Sequence, residues 1–151
     1  MRYERLAARI RSMSHELGSG ASADSVKEAE KVLSVRFPYS YKAFLLEFGW
    51  GSFWSREVYG LGSDVPAYLD VVKITLSERT EMRPRIPVHL VPICNDGGGN
   101  HYCLNTREMS GDECSVVFWD HTLNERQQPE KYSEDFVDWL NSWLDRGGTD
   151  A

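Results

Sequence analysis

Cys94, His101, Cys103, Cys114 and His121 fall in one stretch of the chain. On paper they supply enough soft donors for a zinc ion. Their spacing does not fit one: there is no CxxC, no HExxH and no Cys/His pair at a recognised interval. Strand alternation puts His101 and Cys103 on one face, and with Asp120 as orienter they could form a nucleophile–base pair. Yet nothing places Cys103 at a helix N-terminus or beside a cation, where reactive thiolates are made. The GxSxG elbow is absent. The glycine run Asp96–Asn100 lies between two strands, is acidic and lacks GKS or GKT, so it reads as a turn and not as a phosphate cradle. Asp112-Glu113 falls in a hairpin turn and Glu134-Asp135 at a helix start. General acid–base work would need a cleft around such carboxylates. The expectation is no catalytic residue, no metal, no cofactor and no disulfide.

The elements that must position these residues follow from periodicity. Asp96–Asn100 and Gly111-Asp112 punctuate strands expected over Val88–Cys94, Asn100–Thr106 and Cys114–Asp120. Tyr102 and Leu104 share one face, His101 and Cys103 the other; Val116 and Phe118 share one face, Val117 and Trp119 the other. Upstream, Tyr3, Leu6, Ile10, Met13 and Leu17 recur at helical spacing, which predicts a helix over 2–17. Ser25 with Glu28 fits a capping box for a second helix. A third runs from Pro38 to Gly49, a natural C-cap. Glu57–Leu61 reads as a short strand. Between Asp70 and Arg79 helical spacing competes with a β-branched run, and a helix is favoured. Tyr132 ends one more short strand, and Ser133 caps a last helix bearing Phe136, Val137, Leu140, Trp143 and Leu144. Trp119 and Trp143 are expected to join the sheet to that helix.

The chain has 151 residues, a size that suits one domain with a real core. The expected domain spans 1–151, with its core at about 22–146 and the N-terminal helix at 2–17. No apolar run approaches the ~20 residues of a membrane span. The first residues are basic but lack a continuous apolar segment, which argues against a signal peptide. An odd cysteine count at no disulfide-dense spacing suits reduced thiols in a cytoplasm. Charge is uneven. Residues 1–85 hold 13 Lys/Arg and 11 Asp/Glu, whereas residues 86–151 hold 4 and 12, a balance of −8. Such an acidic half disfavours nucleic acid or an anionic membrane as partner and favours a basic protein.

Val91-Pro92-Ile93, the turn Asp96–Asn100, Tyr102-Cys103-Leu104 and Phe118-Trp119-Asp120-His121 occur in that order. Upstream stand Phe37-Pro38-Tyr39-Ser40-Tyr41 and the run from Phe44 to Gly51. This ordered set resembles the signature of the SUKH superfamily, the Smi/Knr-type domains, over roughly Ser25 to Leu144. The resemblance implies an α+β fold with a single, mostly antiparallel sheet and helices packed chiefly on one face. It also implies a binding module. Bacterial members are commonly immunity proteins that neutralise a cognate toxin, often of nuclease type. The alternatives are a regulatory scaffold of the Smi/Knr branch, ranked lower because its members usually carry long disordered extensions and almost none is expected here, and a small hydrolase or metal enzyme. The expected contact residues are Asp96, Asp112, Glu113 and Asp120 at turns and strand ends. Trp50 and Trp54 in Gly49–Trp54 are the expected apolar anchors. The partner expected is a basic toxin protein met in the cytoplasm.

Overall fold

The computed structural model describes residues 2–13 and 15–149. Position 14 of the expected first helix and both ends of the expected 1–151 domain lie outside the described residues. Helix α1 spans Arg2–Ser12 and buries Tyr3, Leu6, Ala7 and Ile10, the three-and-four spacing of one helical face. It stops short of the expected residue 17. Glu16–Leu17 instead form strand β1, antiparallel to β2, Gly51–Phe53. The reason is close packing. The Gly18 amide donates to the Trp50 carbonyl at 3.0 Å, and a Cβ on Gly18 would lie 2.4 Å from the Trp50 ring. Only an extended, side-chain-free passage fits there.

Helix α2 spans Ala23–Leu33. Its N-cap is Ser22, whose hydroxyl accepts from the Ser25 amide, so the helix starts before the expected Ser25 box. Helix α3, Tyr39–Glu47, follows Pro38 and ends at Gly49, whose φ of 79° and amide bond to the Phe44 carbonyl make the expected C-terminal stop. Strand β3, Arg56–Val58, returns from β2 as a hairpin. Helix α4, Val71–Thr80, contains the β-branched run. Asp70 Oδ1 caps the Val72 and Lys73 amides, and Val71 and Thr75 are buried, so capping and packing override strand propensity.

The second half is a meander of β4 (Leu90–Asn95), β5 (His101–Ser110), β6 (Glu113–Trp119) and β7 (Lys131–Ser133), in spatial order β4-β5-β6-β7. All pairs are antiparallel. Helix α5, Phe136–Asp145, closes the fold. Asp135 caps it by accepting from the Asp138 amide; the expected cap, Ser133, is paired with Val116 in β7.

The class is therefore α+β, but the single sheet is corrected to two, of three strands (β1-β2-β3) and four. The two meet where the Tyr59 amide donates to the Ile93 carbonyl at 2.8 Å. Residues beyond β3 are drawn off instead into the Gly49–Gly60 crossing: a Cβ on Gly60 would lie 1.6 Å from the Gly49 carbonyl oxygen.

The main core packs α1, α2, α3 and α5 onto the Tyr102, Leu104 and Val116 face of the larger sheet; α4 joins it through Val71, while its Glu78 lies 3.9 Å from His101 on the opposite face. The opposite face carries a separate cluster of Ile86, Leu90, Cys103, Val117 and Trp119. Strand parity is as the sequence implies. The expected bridge is corrected: Trp143 lies in the main core and donates to the Phe53 carbonyl, whereas Trp119 is buried on the other face. No helix among the described residues is long and apolar enough to cross a membrane.

Candidate partner-binding cleft

Asp96 organises the glycine turn from within. Its Oδ1 accepts from the amides of Gly98 and Asn100, and its Oδ2 from the Asn100 side chain at 2.9 Å. Burial alone would raise its pKa. The hydrogen bonds from Asn100 and Gly98 outweigh burial and hold it below the usual carboxylate range. Asn100 then ties this turn to the end of β6, its Oδ1 lying 3.0 Å from the His121 amide and 2.7 Å from the His121 ring nitrogen. Beside it Asp120 makes its own turn. Oδ1 accepts from the Thr122 amide and hydroxyl, and those bonds hold Asp120 low as well. Both groups are thus anions at neutral pH.

Between these two turns and the 122–132 segment lies a cleft of about 620 Å³, within the range of binding pockets. Its walls include Asp96, Asp120, Leu123, Glu130 and Tyr132. Tyr102 and Phe118 form its floor with Arg56. The Tyr102 ring lies 5.3 Å from Phe118 and 4.9 Å from Tyr132, centroid to centroid. Arg56 is buried, its guanidinium 3.8 Å from the Trp143 ring centroid and 4.6 Å from that of Tyr102. Its Nη2 donates to the Tyr102 hydroxyl at 2.9 Å. The cleft thus offers rings and fixed carboxylates, the makings of a recognition surface.

The expected contact residues separate into three groups. Asp96 and Asp120 come together in the cleft. Asp112 and Glu113 stand at the opposite end of the β5–β6 hairpin, roughly 30 Å away at strand rise. Asp112 is exposed. Glu113 is committed to α3: its Oε1 and Oε2 accept from the Ser40 hydroxyl and amide at 2.7 and 3.0 Å. Burial raises the Glu113 pKa, and the Ser40 bonds counter it. Trp50 is buried, with its indole N–H donating to Asp64 at 3.2 Å, so it is no surface anchor. Trp54 is 45% exposed, with φ of 58°, and sits against Gly148 at a distance from the cleft lining.

Sequence reasoning did not single out Arg56, Tyr102, Leu123, Glu130 or Tyr132 as contact residues. Arg56 carries one available signal: it stands two residues from Val58 in an alternating run, so parity points it inward.

The thiol readings gain a physical account. Cys94, Cys103 and Cys114 are all free and buried. Burial raises Cys94 and Cys114 to about 12 and Cys103 well above its usual value. None is a thiolate at neutral pH. His101 lies 3.9 Å from Glu78, not beside an activated cysteine. Among the described residues no group of three or more His, Cys, Asp or Glu side chains could hold a metal ion.

A protein-family model described as SMI1-KNR4 cell-wall, SUKH_5, matches residues 3–145.

Proposed function

This chain belongs to the SUKH superfamily, in its SMI1-KNR4 family, and from that premise we propose that it is an immunity protein. It binds and neutralises a cognate toxin, a nuclease-type domain, in the cytoplasm of the cell that makes both. It acts by occupying the toxin and catalyses nothing. The observation that carries this reading is the acid at one end of the larger sheet: Asp96 and Asp120, each fixed by its own turn, flank an aromatic-floored cleft. All of that cleft's lining except Arg56 comes from the half of the chain with a balance of −8. Enzymes that act on nucleic acid present basic surfaces, and opposite potentials steer encounter and raise association rates.

The test is to search the neighbouring genes for a toxin domain, co-express it with this chain, and measure growth and association at two salt concentrations. Protection, with association that weakens as salt rises, is the expected result. A toxin that is neither bound nor neutralised overturns the reading. The description of the matching family model favours a second reading, a regulatory protein-binding scaffold of the Smi/Knr type. A cell-wall phenotype on deletion, in a strain with no toxin gene beside this one, would support it.

A further inference from the structure

We infer that the cleft between the glycine turn and β7 is an anchor pocket for one arginine side chain of the partner. The inference rests on the protein-binding reading above, but names the occupant. A guanidinium needs a flat apolar surface to stack on and a carboxylate edge to meet its forked N–H groups. Phe118 and Tyr132, inclined to the Tyr102 ring at 61° and 57°, each offer a ring face for the guanidinium. Asp120 supplies the edge: both bonds from Thr122 go to Oδ1, and Oδ2 accepts none of the described hydrogen bonds. Exposed Leu123 at the rim covers the aliphatic stem.

The charge count agrees. Asp96, Asp120 and Glu130 line the cleft against Arg56 and Lys131. Lys131 is neutralised by Glu134 at 2.7 Å, outside the cleft lining. Arg56 is held against the Tyr102 ring and bonded to its hydroxyl, and counting its charge in full still leaves three acids against two bases in the lining. Asp96 has both oxygens engaged in its turn and contributes field without a free acceptor. Lysine fits less well, because its compact ammonium neither stacks nor forks.

The probes are a capped Gly-Arg-Gly peptide and its neutral citrulline counterpart, titrated into the intact protein and followed by NMR. The arginine peptide should shift Tyr102, Phe118, Asp120 and Tyr132, and the citrulline peptide should not. Asp120→Asn keeps the Oδ1 acceptor of the turn while removing the charge, and should weaken the arginine peptide at least fivefold with an unchanged spectrum elsewhere. Equal response to both peptides, or shifts away from the cleft, overturns the pocket. The cognate toxin provides the second arm. If Asp120→Asn/Glu130→Gln binds it as tightly as wild type, the pocket falls and the immunity reading stands. If wild type binds the arginine peptide here but ignores the toxin, the immunity reading falls and the pocket stands.

Discussion

Glu113, the first residue of β6, caps helix α3 through Ser40, which is 73 positions earlier in the chain. Pro38 stands at the N-cap position and has no side-chain oxygen to offer the first amides. The carboxylate of a distant hairpin takes over, and the Asp112 carbonyl accepts from the Tyr39 amide at 2.8 Å beside it. The hairpin tip is thereby docked on the helix.

Glu113→Ala should cost about 1–2 kcal/mol, the usual cost of losing a helix cap. Asp112→Lys should stay within about 0.5 kcal/mol, since the side chain is exposed and only its backbone carbonyl is used. Urea unfolding midpoints of the two variants check both. A loss of partner binding in Glu113→Ala without a loss of stability would contradict the capping role.

Trp119 and Trp143, two of the buried tryptophans, belong to clusters on opposite faces of the larger sheet. Trp119→Ala and Trp143→Ala should each cost about 3–5 kcal/mol. Because their clusters are separate, the costs should add in the double variant to within about 0.5 kcal/mol. Trp143→Ala should also disturb Arg56, which stacks on it. Calorimetry of the four proteins gives the coupling; in a background too unstable to hold the double variant, a stabilising osmolyte restores the comparison.

Acid should loosen the α4 contact with β5. His101 is buried, and burial lowers its pKa to about 4 from an ordinary 6.5. The groups that face it are Glu78 of α4, Asp96 of the turn, His121 after β6 and the Tyr59 ring. A depressed histidine stabilises the fold above its unfolded pKa, and that contribution is lost as pH falls from about 6.5 to about 4. Glu78 is raised by burial and works in the opposite sense, so the net loss is under about 3 kcal/mol. Stability measured from pH 7 to pH 4 should fall more steeply in wild type than in His101→Gln. Parallel curves would remove His101 from the account.

Two glycines separate steric from backbone effects. Gly60→Ala drives a Cβ into the Gly49 carbonyl and should cost more than about 4 kcal/mol or abolish folding. Gly97→Ala meets no atom within 4 Å, but its φ of 95° is unfavourable for alanine, so about 1–2 kcal/mol is expected. Thermal midpoints rank the pair, and the reverse order would be inconsistent with the crossing at Gly49.

Local pattern determined much of this protein. Turn chemistry placed the hairpins at Asp96–Asn100 and Gly111-Asp112, because positive φ and Asx bonding are properties of a few adjacent residues. Alternation assigned Tyr102 and Leu104 to one face and Cys103 to the other, because a strand repeats every two residues. The stripe from Phe136 to Leu144 announced the last helix. Asp96 and Asp120 were legible as turn carboxylates for the same reason.

Only the tertiary structure decided what depends on partners far apart in sequence. Leu17 keeps a helical interval with Met13, yet it lies in a strand because residues 50–51 offer a pairing edge. Glu113 reads as a free surface acid until α3 is brought to it, and Trp50 as an anchor until Asp64 takes its N–H. The cleft itself joins Arg56 of β3, Tyr102 of β5 and Tyr132 of β7. No periodicity spans those distances. Their meeting follows from the packing of the two sheets and α5 around one core, where burial of rings and a guanidinium is favourable only in company.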